Sequence, residues 1–387
     1  MRIALLVRRF DTKGGIGKSA VELSRALIAR GHGLTVYAQK ADPEIAKSLG
    51  SAFVRVAGPG FDPTLSMLWF ARSTERLVEE LRRDRSIDVT VGFDHSTLQD
   101  VFRLGGGVHA EFLEATRGLK PKPSGRMLDR IALNLERTRL RPGRFEKLVA
   151  VSQRGRQDVL KHYPAIDPGD VVVVRNGVDL SRFSATFDAE ERARVRRSWL
   201  VDEGSAVALL VGQNPMMKGL DLAASAARAA GVRLVYVGGR QKERALLDSM
   251  GAKEVIWAGI RDDVPACYRA ADVLIQPSRY ENFGNVVLEA AASGLPAIAP
   301  DWFGASEVLR ESGASELLVS STGPDALAEK LTFALDPKNR PRLRAASMAA
   351  ARSNAASFGR WVDEMESVIT TARAPASPSQ KPIPSEP

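Results

Sequence analysis

The sequence has few of the residues on which secreted and membrane-spanning proteins depend. Its 387 residues include one cysteine, Cys267, so neither an intrachain disulfide nor a thiolate zinc site can be built. No apolar run approaches the ~18 residues of a membrane-spanning helix, and the amino-terminal run Ile3–Val7 is too short for a signal peptide. We therefore expect a cytoplasmic protein, whose membrane contact would be peripheral, on the cytoplasmic face of the inner membrane.

Aromatic residues are also scarce, at 6% of the chain. The net charge is +9, and between Arg117 and Lys147 ten Lys or Arg residues stand against three Asp or Glu residues. Proteins that bind nucleic acid interleave aromatic residues with basic ones, but this segment contains a single aromatic residue, Phe145. We therefore expect no nucleic-acid partner.

Two series of alternating strand and helix patterns divide the chain. The first begins with the apolar strand Ile3–Val7, and the second begins with Ala206–Val211, after the turn Asn176-Gly177. A chain of this length exceeds one ordinary core and suits two. The sequence predicts an α/β protein of two doubly wound, Rossmann-like domains. The predicted parts are a first domain over 1–177 completed by a C-terminal helix over 357–373, a second domain over 178–356, and a disordered tail over 374–387.

The most informative motif is Glu281-Asn-Phe-Gly-Asn-Val-Val-Leu-Glu289, which follows the predicted strand Val273–Gln276. Two carboxylates frame the start of a helix, where free backbone N–H groups favour phosphate or sugar oxygens and carboxylates accept bonds from hydroxyls. Taken alone, the glutamates are equally consistent with a loop acid and an exposed helical residue. The small residues and Gly-Pro turn of Ala290–Ile298 favour the functional interpretation.

In this region the sequence resembles the retaining family-4 glycosyltransferases of GT-B fold. The matching stretches are Gly259–Val264, Ala270–Leu274, Pro277-Ser278, Glu281–Glu289 and Gly294–Pro296. The resemblance implies two domains facing a central cleft and transfer of a hexose from a nucleotide sugar, UDP-glucose or a related UDP-sugar, with retained anomeric configuration.

The resemblance also implies roles for single residues. Glu289 would hold the donor ribose, Glu281 the transferred sugar, and Arg261 would lie near the base. The turn between the glutamates would meet sugar hydroxyls and pyrophosphate through Asn282, Phe283, Gly284, Asn285 and Val286. In Val211–Gly219, Gly212 would face the donor and Lys218 would neutralise the departing pyrophosphate. This sequence departs from the family at Gln213, where an arginine is usual.

The segment Lys13-Gly-Gly-Ile-Gly-Lys-Ser19 has three interpretations. It fits a variant P-loop of an ATPase, although Thr12 stands where the standard motif has its first glycine. As part of a glycosyltransferase, Gly14 and Gly15 would let the backbone approach the donor pyrophosphate, with Lys18 as counter-charge. The glycines could also belong to an ordinary loop.

Three glycines precede His109, which suggests a close approach of the backbone to a ligand. A lone histidine is more often a surface or core residue, but the resemblance implies that His109 faces the donor sugar. No Asp-x-Asp sequence occurs, so we expect no metal site and no cofactor, with leaving-group charge met by lysines and helix ends.

Four arginines, Arg126, Arg130, Arg137 and Arg141, fall on one side of a predicted helix. A basic amphipathic helix indicates an anionic membrane or glycolipid surface, or otherwise a solvated face. The chain as a whole is similar to lipopolysaccharide core glucosyltransferases, including Leu135–Leu140 and Lys161–Tyr163, which implies a lipopolysaccharide or other lipid-linked glycan acceptor. A non-catalytic glycan-binding protein of the same fold remains an alternative.

Overall fold

The computed structural model describes residues 1–59, 62–116, 123–186, 188–239, 255–353 and 356–372. These residues form two sheets with parallel pairing between all described strands, in the orders β3-β2-β1-β4-β5-β6-β7 and β10-β9-β8-β11-β12-β13. In each sheet the direction of the strand order reverses beside the strand that comes first in sequence, β1 or β8, as in doubly wound folds. The predicted fold class is confirmed. The predicted tail over 374–387 lies outside the described residues.

The strands are short and mostly buried. Those of the first sheet are β1 Arg2–Phe10, β2 Gly33–Ala41, β3 Phe53–Arg55, β4 Val89–Gly92, β5 Val101–Leu104, β6 Lys147–Ala150 and β7 Val171–Val173. Those of the second sheet are β8 Val207–Val211, β9 Arg233–Val237, β10 Val255–Gly259, β11 Val273–Ile275, β12 Ala297–Pro300 and β13 Leu318–Val319.

Helices cover the sheets, and several of them begin at a side-chain cap. Asp62 is one example: its Oδ1 accepts bonds from the N–H groups of Thr64 and Leu65, both at 2.8 Å, ahead of a helix that starts with Pro63. The described helices are Gly15–Ala29, Pro43–Leu49, Pro63–Arg83, His109–Ala115, Pro123–Arg139, Gln153–His162, Ala189–Ser198, Leu220–Ala229, Val264–Ala270, Asn285–Ala292, Gly304–Glu311, Pro324–Leu335, Arg340–Arg352 and Phe358–Thr371.

The last helix, Phe358–Thr371, packs on the first sheet although it follows the second domain in sequence. Its residues Trp361, Val362, Met365 and Ile369 are buried in the same cluster as the strand residues of β1 and β4. The chain therefore crosses between the domains twice, once on the way out and once on the way back.

The two crossings run side by side. The N–H of Val178 donates to the carbonyl of Ala356 at 2.9 Å, and Val178 forms a parallel bridge with Ser357. A Cβ at Gly177 would lie 2.6 Å from both the Cα of Phe358 and the carbonyl oxygen of Ser357, which are backbone atoms. Only glycine fits at this position without separating the crossings.

We predict that Gly177→Ala destabilises the protein by about 1–3 kcal/mol, because the added methyl must push two backbone segments apart. Thermal unfolding measures the change. The control is Gly204→Ala, since a Cβ there meets no atom within 4 Å. Equal unfolding temperatures for the two variants would show that the crossing tolerates the extra carbon.

Candidate active site

The helix Asn285–Ala292 presents its amino terminus to the first domain. Its N-cap is Gly284, at φ +86°, and no side chain of the described residues caps it. A Cβ at Gly284 would lie 2.8 Å from the Phe303 ring, so packing and backbone angle both require glycine. The first N–H groups of a helix have no partner within the helix, which leaves this turn able to bind phosphate or sugar oxygens.

Glu289, on the same helix, is bonded from both domains. Its Oε1 lies 2.9 Å from Nζ of Lys18 in the first domain, and its Oε2 accepts a bond of 3.1 Å from the Tyr268 hydroxyl. Burial, with the Glu289 charge, raises the pKa of Tyr268, so the phenol remains a donor. Each carboxylate oxygen has a second lone pair, which leaves acceptor capacity for a diol.

Lys218 and Glu281 form the second lysine–glutamate pair of the cleft, through Nζ and Oε2. Lys218 lies at the end of the loop after β8 and folds back over Gly212, where a Cβ would be 2.8 Å from its Cε. Gly212 has φ +147°. The glycine thus makes room for the lysine stem, and the lysine charge is placed beside the predicted sugar-binding carboxylate.

The turn between the two glutamates is attached to the end of β5. Nδ2 of Asn282 donates to the carbonyls of Leu104 and Gly105, at 2.9 and 3.2 Å. The ring of Phe283 is buried at 3% exposure in the second-domain core. These two side chains therefore hold the turn in place, and any donor contact at Phe283 would come from its backbone.

The glycines before His109 allow contact between domains. Gly107 has φ +80°, and a Cβ there would collide with the Tyr280 hydroxyl of the second domain. The same hydroxyl donates to the Val108 carbonyl at 3.3 Å. In this structure the close approach expected from the glycines is to the opposite domain.

His109 begins the helix His109–Ala115 and is positioned by Glu136. The fully buried Glu136 carboxylate accepts bonds from the N–H groups of His109, at 2.6 Å, and Ala110, at 3.2 Å. Tyr163 adds a bond of 2.7 Å to the same carboxylate. The imidazole Nε2 lies 3.3 Å from Oδ1 of Asp129. The helix Pro123–Arg139, which supplies Glu136 and Asp129, thus fixes both the backbone and the ring surroundings of His109.

Sequence analysis missed His95, which lies in the loop after β4 at the carboxyl edge of the first sheet. Burial lowers its pKa to about 4; the Asp94 charge opposes this shift, and the charges of Arg139, Arg8 and His109 reinforce it. The imidazole is therefore neutral at neutral pH, with a buried Nδ1 that has no partner among the described residues. Its position after a predicted strand was the available signal. The other two histidines contact glutamates: His32 contacts Glu366 and His162 contacts Glu111.

The remaining predicted donor residues are only partly brought together. Gly14 is the N-cap of the first helix, and a Cβ at Gly15 would lie 3.9 Å from Nδ2 of Asn285. The glycine loop therefore faces the start of the helix Asn285–Ala292, called the donor helix below. Val286 follows in the first turn of that helix. Arg261, by contrast, is paired with Asp263 at 2.6 Å.

A small cavity of about 20 Å³ lies between the domains beside Lys18 and Glu289, lined also by Asn176, Asn285 and Trp361. Such a volume holds about one water molecule. A nucleotide sugar needs far more room, so the side chains or the domains that line this cavity must move for a donor to enter here.

One cluster has ligand atoms of the kind that bind metals. Glu111, Glu114 and His162 place such atoms within 4.8 Å of one another. Nζ of Lys161 lies 2.7 Å from Glu111 and 2.8 Å from Glu114, and Arg154 pairs with Glu111 at 2.9 Å. Burial alone would raise the pKa of Glu111, but the Lys161 and His162 hydrogen bonds, with the nearby cationic charges, lower it to about 2. Basic side chains therefore already balance these carboxylates.

The comparisons with known proteins agree with this geometry. Residues 13–182 match the model of "Glycosyltransferase Family 4", and residues 205–337 match that of "Glycosyl transferases group 1". Together the two matches cover most of the chain. The chain belongs to the family-4 glycosyltransferases. The family sets aside the ATPase interpretation of Lys13–Ser19, whose Lys18 pairs with Glu289.

Two curated relatives differ in how much of them is matched. The chain is 32% identical over 239 residues to D-inositol 3-phosphate glycosyltransferase of Mycolicibacterium gilvum, and the match spans 58% of this chain and 51% of that protein, about half its length. It is 25% identical over 346 residues to lipopolysaccharide glucosyltransferase WaaG of Escherichia coli K12, across 87% of this chain and 90% of WaaG.

Solved structures show the same fold. The crystal structure of WaaG superposes with a TM-score of 0.77 at 21% identity, covering 95% of this chain and 100% of WaaG. HepE of Anabaena, solved in complex with UDP and glucose, superposes with a TM-score of 0.71 at 17% identity over 96% of this chain and 100% of HepE. The predicted GT-B architecture is confirmed.

We predict that Glu289→Ala weakens donor binding by about 1–3 kcal/mol, because a buried hydroxyl pair loses its acceptor. Calorimetric titration with a UDP-sugar measures the affinity. Glu329→Ala, on an exposed helix position, is the matched control and should bind like the parent. Unchanged affinity in Glu289→Ala would remove this residue from the donor site.

Proposed function

We propose that this glycosyltransferase moves a hexose from a UDP-sugar, with UDP-glucose as the first candidate, to a lipopolysaccharide core or another lipid-linked glycan. The observation that supports the proposal most directly is the pairing of Glu281 with Lys218 and of Glu289 with Lys18 around the open helix start at Gly284. WaaG is named a lipopolysaccharide glucosyltransferase, and HepE was solved in complex with UDP and glucose. Both support the choice of glucose and UDP.

The proposed chemistry follows from where the charges lie. As the bond from the sugar to the diphosphate breaks, negative charge grows on the leaving oxygen. In our proposal Lys218, Lys18 and the N–H groups after Gly284 meet that charge, so that no metal ion is needed. Glu281 accepts bonds from hydroxyls of the transferred sugar, and His109 faces the sugar from the first domain. The acceptor hydroxyl then attacks from the face that the nucleotide leaves and gives its proton to the departing diphosphate oxygen, which balances the step and retains the configuration.

Gln213 stands beside Gly212 where a second cation is usual in the family. Lys18 compensates for this difference in our proposal, since its ammonium reaches the donor helix from the opposite domain. Both lysines are partly exposed, at 19% and 21%, so each can exchange its glutamate for a phosphate oxygen.

A panel of nucleotide sugars, read by nucleotide release with a truncated lipopolysaccharide acceptor, tests the proposal. We expect UDP-glucose to be turned over fastest, in excess EDTA as well as without it, and to give an α-linked product by NMR. Activity lost in EDTA and restored by magnesium or manganese would contradict the metal-independent mechanism. Donor binding without turnover on any acceptor would favour the non-catalytic alternative.

We further propose that the helix Pro123–Arg139 and the turn after it meet an anionic membrane or glycolipid. Arg130, Arg137 and Arg141 are exposed, whereas the side chain of Arg126 lies outside the described residues. Met127 and Leu128 at the start of this helix are 68% and 37% exposed, which adds apolar contact area. In the described ranges no helix is long and apolar enough to span a bilayer, and the proposal needs only surface contact.

We predict that changing Arg126, Arg130, Arg137 and Arg141 to Gln releases the protein from anionic liposomes, since each arginine contributes about 1 kcal/mol near such a surface. Co-sedimentation with vesicles of phosphatidylglycerol measures binding, which should also fall with salt. The matched control changes four exposed second-domain arginines, Arg194, Arg197, Arg233 and Arg352, to Gln. Equal release by both sets would show that net charge alone governs the contact.

A further inference from the structure

Arg103, the third residue of β5, is a buried cation with no carboxylate of the described residues in direct contact. It is 1% exposed, and no carboxylate of the described residues lies within 4.0 Å of its guanidinium. The guanidinium carbon lies 5.5 Å from the Phe93 ring centre and 5.8 Å from that of Trp361. Burial lowers the pKa of Arg103 to about 10 and the Glu22 charge opposes this shift, so the group is still charged at neutral pH. Buried charges are normally paired, so this one requires an explanation.

Arg196 provides the contrast within the same molecule. It is also 1% exposed, but its NH1 lies 3.5 Å from Oδ2 of Asp272, and Val207 and two further arginines share that carboxylate. Arg196 therefore contacts a carboxylate directly and shares it with Arg192 and Arg340 inside the second domain. Arg103 has no such contact among the described residues.

The hydrogen bond of Arg103 is to the segment at which the chain leaves the first domain. Its NH2 donates to Oδ1 of Asn176 at 2.5 Å. Asn176 lies beside Gly177, where the chain first crosses between the domains. Because the amide oxygen is taken by Arg103, the amide nitrogen points away, and it donates to Oδ1 of Asn285 at 2.8 Å. Three side chains thus connect β5, the crossing and the first residue of the donor helix.

The carboxyl end of β5 also holds Asn282, the first residue of the turn Asn282–Asn285 that leads into the donor helix. Nδ2 of Asn282 donates to the carbonyls of Leu104 and Gly105. Gly105 makes room for the same guanidinium, because a Cβ there would lie 2.7 Å from NH1 of Arg103 and would displace it. The turn Asn282–Asn285, which includes the open helix start at Gly284, is therefore attached to β5 at both ends.

We propose that Arg103 is a positioning residue for donor binding: acting through Asn176 and Asn285, it holds the phosphate-facing turn against the first domain when the cleft is closed. The arginine need not touch the donor. The planar guanidinium of Arg103 fixes the orientation of the Asn176 side-chain amide, which would otherwise be free to rotate. That orientation selects the rotamer of Asn285. The donor part of this inference rests on the proposed function, whereas the attachment of the turn does not.

The test uses Arg103→Met, Asn285→Ala and the double variant, with Arg196→Met as the control for loss of a buried arginine. Calorimetry with UDP measures affinity. We expect each of the first two variants to raise the UDP dissociation constant about tenfold, the amount a lost buried hydrogen bond supports. Because Arg103 acts through Asn285, the double variant should bind no worse than Asn285→Ala alone.

A second measurement needs no ligand. Hydrogen exchange of the helical amides at 287–289, the first of which donates to the Gly284 carbonyl, should be faster in Arg103→Met and in Asn285→Ala than in the parent, while Arg196→Met leaves these amides unchanged. If Arg103→Met does not fold, Asn176→Ala decides, because it removes the amide through which Arg103 acts. Additive losses of affinity, or exchange at 287–289 equal to the parent, would overturn the inference. Failure of the parent to bind UDP would overturn the proposed donor instead and leave the exchange result to decide the attachment.

Discussion

The close crossing of the two chain segments between the domains is the constraint on which the rest of the structure depends. Val178 is hydrogen-bonded to Ala356, and Gly177 lies against the backbone at Ser357 with no room for a side chain. This contact places the carboxyl ends of the two parallel sheets opposite each other. Since loops at those ends hold the ligands of doubly wound folds, the crossing brings the glycine loop after β1 to the donor helix.

The charged groups of the cleft form lysine–glutamate pairs in which another anion can replace the glutamate. Each glutamate of the 281–289 motif contacts a lysine, one from its own domain and one from the other. Partly exposed pairs are stabilised only modestly, so a diphosphate can replace a carboxylate as the lysine's partner at little cost. The fully buried Glu136, in contrast, has a fixed structural task, since it holds the first N–H groups of the His109 helix.

Strong local patterns were enough to predict most of the fold. The predicted strand Ala206–Val211 is found at Val207–Val211, and the predicted strand Ile3–Val7 lies within Arg2–Phe10. The strand Val101–Leu104 was missed because Arg103 interrupts a short apolar run, and a charged residue argues against a buried strand. Short helices such as Gly304–Glu311 were missed because a few residues show no clear period.

The sequence by itself determined that the chain has two parallel α/β domains, and it located the Glu281–Glu289 motif at a helix start, because apolar period, glycine and carboxylates are local properties. Only the tertiary structure decided which residues meet. Lys18 contacts Glu289 across 271 positions, Glu136 caps the helix of His109, and Arg103 reaches Asn285 through Asn176. Such contacts join residues distant in sequence, and their geometry follows from the packing of the two domains, which no local pattern encodes.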